Sequence, residues 1–434
     1  MSTLAPAELV ERIWERDPSV WTGGGEAHWL GWLDEPARMR ERAHELLEYA
    51  TRLEAEVDHV VLMGMGGSSL APDVMRRFFG AERFHVLDTT HPTAIRRLER
   101  SIDVERTLFL AASKSGTTLE TRSHADYFRE HGGRFAVITD PGSPLAELSE
   151  NVFYGEPTIG GRYSALSVFG LVPASLMGVD IVRLLDRAEE MREACRLEVG
   201  NPGLELGLWL AEQQFLQVDG DFGLWVEQLV AESTGKRGKG IVPVREGGET
   251  PDVRLTDPYE LGQEFFRWEF ATAVAGSILG INPFDQPDVQ SAKDKTEAVL
   301  ASRASGSDPG TGPEGSLDEL LREAGPGSYV AIQAFVDPAR EGELEPLRRR
   351  ARETGAAVSV GLGPRYLHST GQLHKGGPEI GLFVQVVDDL GEELPIPGRK
   401  FGFRTLIAAQ ATGDFEALRE RGRRIVRVRL EDVT

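Results

Sequence analysis

Apolar runs alternate with amphipathic stretches along most of the chain, and the alternation begins at residue 58. Four runs, DHVVLMGMG, FHVLDTT, RTLFLAAS and RFAVITDP, are each followed by a stretch in which apolar residues recur at helical spacing. Continuous apolar runs are typical of parallel strands that are buried on both faces. Strand and helix alternating in this way predict a doubly wound sheet, whose ligands bind outside the carboxyl ends of the strands.

A second series of apolar runs follows a helix-rich stretch at about 164–234. The runs that predict strands of a second sheet are GKGIVPV, SYVAIQAFVD, AAVSVGLG, IGLFVQVVDD and RIVRVRLED. Residues 301–316 are rich in Gly, Ser and Pro and predict a mobile surface loop. We therefore expect an N-terminal helical segment (1–57), a first α/β domain (58–195) and a second α/β domain (196–434).

Charge and composition exclude several classes of function. The formal net charge is −21, from 48 Lys and Arg against 69 Asp and Glu, which disfavours nonspecific nucleic-acid binding. An anionic ligand must therefore be held by local groups, against the mean field. The single cysteine allows no intrachain disulfide, and the first residues lack the pattern of a signal peptide. No apolar run reaches the ~18 residues of a membrane helix, so we expect a cytoplasmic protein that does not bind membranes.

The turn after the third strand of the first sheet, SKSGTT, is rich in hydroxyl groups. Its candidate anion-binding residues are Ser113, Lys114, Ser115, Thr117 and Thr118. Backbone amides and hydroxyls that meet at a helix N-terminus suit a phosphate monoester. An ordinary helix cap needs one hydroxyl, and the Walker A pattern of ATP-binding loops is absent. The turn therefore predicts an anion site.

The glycine cluster GMGGSS, residues 64–69, follows the first strand and also suits an anion at a helix N-terminus. A dinucleotide site is the alternative, with Asp88 near the end of the next strand as the acid that would bind a ribose. The third glycine of that fingerprint is replaced by Ser69, so nicotinamide binding remains a distant alternative.

Four later segments carry further polar residues. GGRYS fixes Arg162 beside two glycines, and VEQLVAESTGK puts Gln228, Glu232 and Lys236 on one helix face if the helix continues that far. NPFDQPDVQSAK follows a strongly apolar helix, and LHSTGQLHKGG carries His368 in a Gly- and Ser-rich loop. Taken singly, each has a plain structural interpretation, such as a surface arginine, a solvated helix face or an exposed histidine.

Together the segments resemble the glucose-6-phosphate isomerase family, one branch of the SIS (sugar isomerase) domain enzymes. The matching segments are GMGGSSL, SKSGTTLET, GGRYS, ESTGK, DQPDVQSAK and LHSTGQ, in residues 64–374. LHSTGQ follows DQPDVQSAK here, whereas it precedes that segment in the more common members. This order resembles the isomerase half of fused transaldolase–glucose-6-phosphate isomerase proteins. The lysine segment differs from the family at Asp288 and Gln290 and retains Lys293.

The resemblance implies an α/β fold of two SIS-type α-β-α sandwich domains with mainly parallel sheets, plus the N-terminal helices. It implies an aldose–ketose isomerase that opens a sugar ring and moves a proton between C2 and C1 through an enediol, with no metal and no organic cofactor. It also implies a homodimer, because a histidine of a neighbouring subunit often enters the site in this family. The substrate would be a small sugar phosphate, such as glucose 6-phosphate or fructose 6-phosphate.

The same resemblance assigns roles to individual residues. Glu232 resembles the general base, Arg162 the cation that stabilises the enediolate, and His368 and Lys293 the groups that open the ring. The residues that would bind substrate are Gln228 and Gln286 at the hydroxyls, Ser113, Lys114, Ser115, Thr117 and Thr118 at the 6-phosphate, and Gly67 and Ser68 along the sugar.

Two alternatives stay open at the level of sequence. One is the isomerisation of a related substrate, such as mannose 6-phosphate or a sulfonated sugar, because an anion loop does not read the configuration at C2. The other is a sugar-phosphate-sensing SIS protein, which would have no need of Glu232 and Arg162.

Overall fold

The computed structural model describes residues 4–288, 290–303 and 312–433, without the side chains of residues 290–293 and 302–303. The N-terminal segment contains the helices α1 (Pro6–Trp14) and α2 (Glu35–Leu53). Helix α1 has proline in its first turn, where the missing N–H costs no hydrogen bond. Both helices bury one apolar stripe and leave most of their charged residues toward solvent, although α2 buries Glu35 at its start.

The first sheet has five parallel strands in the order β2-β1-β3-β4-β5. Alternate residues of its strands belong to two different hydrophobic clusters, so both faces are covered. The strand order reverses between β1 and β3, where a ligand crevice is expected at the carboxyl ends. Its elements are β1 (His59–Met63), α3 (Leu70–Phe78), β2 (Phe84–Leu87), α4 (Pro92–Ser101), β3 (Thr107–Ala112), α5 (Leu119–Glu130), β4 (Arg134–Thr139) and β5 (Val152–Tyr154).

Helices dominate the middle of the chain. Its elements are α6 (Val168–Leu176), α7 (Ile181–Ala194), α8 (Pro202–Ala211), β6 (Phe215–Gln217), α9 (Gly223–Thr234), β7 (Val242–Val244) and α10 (Glu260–Leu279). Helix α10 is buried along most of its length and packs against α7, α8 and α9. Even so, no helix in the described ranges has the length and apolar character needed to span a bilayer.

One predicted strand of the second sheet lies elsewhere. GKGIVPV forms β7, which pairs with β6 in a separate two-stranded sheet. Pro243 in its centre lacks the N–H that a strand with two neighbours needs. The chain reaches the second sheet only just beyond β7, where the backbone of Glu246 bridges Val358.

The second sheet has four parallel strands in the order β11-β10-β8-β9. The prediction of two mainly parallel sheets is therefore confirmed, and the boundaries at 57 and 195 stay a prediction. Of the predicted loop 301–316, residues 304–311 lie outside the described part of the chain. The elements of this half are α11 (Gln290–Arg303), α12 (Leu317–Glu323), β8 (Tyr329–Phe335), α13 (Glu345–Glu353), β9 (Ala357–Leu362), α14 (Gly371–Gly376), β10 (Gly381–Val387), α15 (Phe403–Glu420) and β11 (Arg424–Arg429).

Candidate active site

The turn after β1 brings three other segments close to its backbone. Gly66 has a positive φ of 55°, and a Cβ there would lie 2.3 Å from the His368 carbonyl oxygen and 2.9 Å from Gln228 Nε2. A Cβ on Gly67 would lie 2.1 Å from the Gly161 carbonyl oxygen. Real Cβ atoms do not approach other atoms so closely, so both positions require glycine. The glycine cluster thus packs against the segments that carry Arg162, Gln228 and His368.

Arg162 is buried and all of its nitrogens have partners. It lies in the single 3₁₀ turn Gly161–Tyr163, and its Nε donates to Ser233 Oγ at 2.9 Å. One terminal nitrogen donates to Gln286 Oε1 at 2.7 Å, and the other to the carbonyl oxygens of Pro283 and Asp285 at 2.8 Å each. The planar guanidinium is therefore fixed in orientation, as a preorganised cation requires.

Glu232 lies beside this cation on helix α9. Its Oε1 is 3.5 Å from Arg162 Nη1, and its Oε2 accepts a hydrogen bond of 3.0 Å from Gln228 Nε2. The same amide nitrogen donates to the His368 carbonyl oxygen at 2.9 Å. Gln228 Oε1 is buried and has no hydrogen-bond partner among the described residues. An acceptor left unpaired beside a carboxylate suits a substrate hydroxyl.

The helix that carries Glu232 ends before Lys236, so these residues do not form the continuous helical face that spacing suggested. Helix α9 ends at Thr234, and Lys236 Nζ instead donates to the Asn282 carbonyl oxygen at 2.8 Å and to Asp285 Oδ1 at 2.7 Å. Burial, together with the nearby Arg162, lowers the pKa of Lys236 to about 8. Lys236 and Arg162 thus hold the same loop through its backbone carbonyl oxygens.

His368 forms a pair that the sequence analysis did not identify. Its Nε2 lies 2.9 Å from Glu120 Oε1, and the His368 side chain is 19% exposed. Burial alone would raise the pKa of Glu120, but the neighbouring imidazole holds it down at about 2. Glu120 is the second residue of α5, where an acidic residue looks like a helix N-terminal preference. The segment SKSGTTLET therefore includes Glu120. Its partner His368 lies 248 residues away in the chain, so the sequence around Glu120 does not indicate the contact.

The hydroxyl-rich turn lies between β3 and α5, as predicted. Ser113 Oγ and Thr118 Oγ1 are 2.8 Å apart, and Ser115 Oγ and Thr117 Oγ1 are 2.9 Å apart. Lys114 forms an ion pair with Asp140 rather than remaining a free cation. The turn is joined to the rest of the site through Glu120, which follows it on α5 and contacts His368.

The remaining candidates have different outcomes. Gln286 contacts Arg162, and Ser68 is buried in the glycine turn. Lys293 lies in α11, but its side chain is outside the described part of the structure, so its role stays a prediction. Asp88 lies 3.6 Å from Arg365, which engages the carboxylate considered for a ribose. Across the described residues, no group of His, Cys, Asp and Glu is arranged to hold a metal ion.

Comparisons with known sequences agree with this arrangement over part of the chain. The phosphoglucose isomerase family model matches residues 37–198, which contain the glycine turn, the hydroxyl-rich turn and Arg162. A probable glucose-6-phosphate isomerase of Methanococcus maripaludis is 25% identical, over 61% of this chain and 82% of that protein. A glucose-6-phosphate isomerase of Thermus thermophilus is 35% identical, over 48% of this chain and 56% of that protein. The chain thus spans about half the length of the T. thermophilus relative.

Comparison with solved structures concerns the fold. A glucose-6-phosphate isomerase from Chlamydia trachomatis superimposes with a TM-score of 0.55 at 17% identity, over 70% of this chain and 87% of that chain. Residues 37–198 therefore match the phosphoglucose isomerase family model, and the α/β fold with its parallel sheets is similar to that of the C. trachomatis structure.

Proposed function

We propose that the chain is an aldose–ketose isomerase that interconverts glucose 6-phosphate and fructose 6-phosphate. The observation that carries this proposal is the buried pair of Glu232 and Arg162, 3.5 Å apart and held by Gln228, Ser233 and the loop 283–286. A carboxylate base beside a fixed cation is the arrangement that proton abstraction next to a carbonyl requires. The named relatives, a glucose-6-phosphate isomerase and a probable glucose-6-phosphate isomerase, support the same reaction.

Glu232 moves the carbon-bound proton. Its carboxylate takes the proton from C2 of open-chain glucose 6-phosphate, the electron pair of that C–H bond forms a C1=C2 double bond, and the π pair of the carbonyl moves to the C1 oxygen. The same carboxyl group then returns the proton to C1, while a proton passes from the C2 hydroxyl to the C1 oxygen. The Gln228 amide holds one carboxylate oxygen, which leaves Oε1 on the side of Arg162.

Arg162 stabilises the charge that develops on the enediolate oxygens. Because its hydrogen bonds are already made to Ser233, Gln286 and two backbone carbonyls, it does not reorganise during the reaction. The unpaired Gln228 Oε1 accepts a substrate hydroxyl in this scheme.

His368 opens and closes the sugar ring, together with Lys293. Opening the ring requires a proton to leave the anomeric hydroxyl and another to reach the ring oxygen. The contact with Glu120 orients the imidazole for this transfer. The phosphate is held at the N-terminus of α5, where Ser113, Ser115, Thr117 and Thr118 surround the positive end of the helix.

A coupled assay of glucose 6-phosphate formation from fructose 6-phosphate tests the proposal. Glu232→Gln keeps the shape of the side chain, and we expect kcat to fall by about 10²–10⁴ with little change in KM. Glu227→Gln is the matched control, since this carboxyl lies on the same helix and faces Arg245 and Arg365. Equal activity of wild type and Glu232→Gln contradicts the role of Glu232 as the general base. If the wild type binds the substrate without turning it over, the protein is a sensor.

We propose further that the second half is arranged as in the isomerase half of fused transaldolase–glucose-6-phosphate isomerase proteins. The order of the lysine and histidine segments supports this, because α11, with Lys293, precedes β8 whereas His368 follows β9. Activity of the chain on its own, with no transaldolase activity, is the expected result.

We also propose that the enzyme is a cytoplasmic homodimer. The single, buried thiol of Cys195 suits a reducing compartment. Sedimentation equilibrium should give twice the mass of the 47.6 kDa chain, and cell fractionation should recover the activity in the cytosolic fraction. A monomer with full activity contradicts the dimer.

A further inference from the structure

We propose that Gln410, on helix α15, is a positioning residue that fixes Glu120 against His368; this rests on the proposed function. Gln410 is buried, and its Nε2 donates to Glu120 Oε1 at 2.6 Å. That oxygen is also the one that contacts His368 Nε2. Two neighbours on one carboxylate oxygen determine where the oxygen lies, so loss of Gln410 leaves the carboxylate free to turn away from the imidazole.

A second contact fixes the orientation of the Gln410 amide. Thr90, which follows β2, donates its hydroxyl proton to Gln410 Oε1 at 2.8 Å. With its oxygen engaged by a donor, the amide presents its NH₂ group to Glu120. Thr90, Gln410, Glu120 and His368 therefore form one hydrogen-bonded chain, and Thr90 and Gln410 are both fully or nearly fully buried.

Helix α15 also holds the segment on either side of His368. Asp414 lies one helical turn after Gln410. Its Oδ2 accepts from Tyr366 OH at 2.6 Å and its Oδ1 from Lys375 Nζ at 2.5 Å. One face of α15 thus supports both the backbone around the histidine and the carboxylate that orients the imidazole.

Gln410→Met removes the amide and keeps a similar volume. We expect kcat to fall about tenfold with KM unchanged within about twofold, because a displaced general acid–base slows the reaction without weakening phosphate binding. Exchange between the α and β anomers of glucose 6-phosphate, measured by NMR, should fall by the same factor, because it requires ring opening. In Glu232→Gln, anomer exchange should persist while isomerisation is lost.

Two further variants separate positioning from stability. Gln333→Met is the matched control, because Gln333 is also a buried glutamine, and its Nε2 contacts His374 Nδ1 at 2.9 Å rather than Glu120. It should lower stability and leave anomer exchange near the wild-type rate. Thr90→Val frees the Gln410 amide and should lower kcat in the same direction by a smaller factor. If Gln410→Met and Gln333→Met have equal kinetics, the positioning role is wrong.

A measurement that does not depend on turnover distinguishes failure of the Gln410 positioning role from failure of the proposed isomerase function. The ¹⁵N signal of His368 Nε2 reports its contact with Glu120, and His368→Gln identifies that signal. We expect the signal to shift in Glu120→Gln and in Gln410→Met, and to stay in place in Gln333→Met, where the His374 signal shifts instead. An unchanged His368 signal in Gln410→Met overturns the inference, whether or not the wild-type chain isomerises sugars.

Discussion

Gly67 controls how closely the arginine segment approaches the first sheet. A Cβ there would lie 2.1 Å from the Gly161 carbonyl oxygen, so Gly67→Ala must displace the turn that carries Arg162. We expect a loss of about 1–3 kcal/mol in the free energy of unfolding and at least about a tenfold fall in kcat/KM. Urea denaturation and the isomerase assay measure the two effects.

The facing glycine provides the control. A Cβ on Gly161 would meet no atom within 4 Å, so Gly161→Ala should change the free energy of unfolding by no more than about 0.5–1 kcal/mol. If the two alanine variants behave alike, close approach is not the reason for glycine at position 67.

Ser115 offers a separate test of the anion site. Ser115 is exposed. Among the described residues, its hydroxyl contacts only Thr117, which lies in the same turn. Ser115→Ala should therefore raise KM for phosphorylated sugars by up to about tenfold and leave kcat within about twofold, because the phosphate is bound equally in ground and transition states. Ser101→Ala, at the end of α4, should change neither. A fall in kcat alone contradicts uniform binding.

At the scale of elements, helix α2 begins with a buried carboxyl whose charge opposes folding. Burial raises the pKa of Glu35 to about 7, although Arg38 lies 2.7 Å away. The charged groups that also face the Glu35 carboxyl are Arg42 on the same helix, Glu156, and Glu269 on helix α10. Between the unfolded pKa near 4.5 and about 7, the folded state binds more protons than the unfolded state, so stability falls as pH rises.

Glu35→Gln should remove this loss. Relative to wild type, the variant should gain up to about 3 kcal/mol in the free energy of unfolding as the pH rises from 4.5 to 8. Urea denaturation at several pH values measures the difference. Glu41→Gln, exposed on the same helix, should show no such trend. A pH-independent difference for Glu35→Gln contradicts the assignment.

The elements themselves were largely predictable, since apolar runs such as TLFLAA and YVAIQAF are strands that are buried along their whole length. GKGIVPV was assigned to the wrong sheet because periodicity does not report which neighbour a strand pairs with. Gln410 and Glu120 escaped sequence reasoning for a similar reason. Each looks like an ordinary helical residue, and its importance depends on contacts 248 and 290 residues apart in the chain.

At the scale of the molecule, the two sheets have related strand orders but different carboxyl-end crevices. In the first sheet, glycine- and hydroxyl-rich turns follow β1 and β3, where the strand order reverses. In the second, the corresponding strands β8 and β10 are followed by Asp337 and Asp388, which pair with Arg97 and Arg340. Ion pairs of the protein itself thus engage both aspartates, whereas the turns that follow β1 and β3 carry groups of the proposed site.

The pair of Arg97 and Asp337 also ties helix α4 of the first sheet to the end of β8. The two terminal nitrogens of Arg97 donate to the two carboxylate oxygens of Asp337 at 2.7 and 2.6 Å. The Asp337 side chain is 8% exposed. We expect Arg97→Met and Asp337→Asn each to lower the free energy of unfolding by about 1–2 kcal/mol, less than for a fully buried pair because Arg97 is half exposed.

A double-mutant cycle decides whether the two residues act together. Their coupling energy should be about 1 kcal/mol, measured by urea denaturation of the wild type, both single variants and the double variant. Arg106 and Asp58 are the matched control, since this pair has two similar contacts of 2.6 and 2.9 Å but both side chains are 47% exposed. Its coupling should be clearly weaker than that of Arg97 and Asp337, because solvent screens both charges. Equal coupling in the two cycles means that the burial of Asp337 adds nothing to the strength of its pair with Arg97.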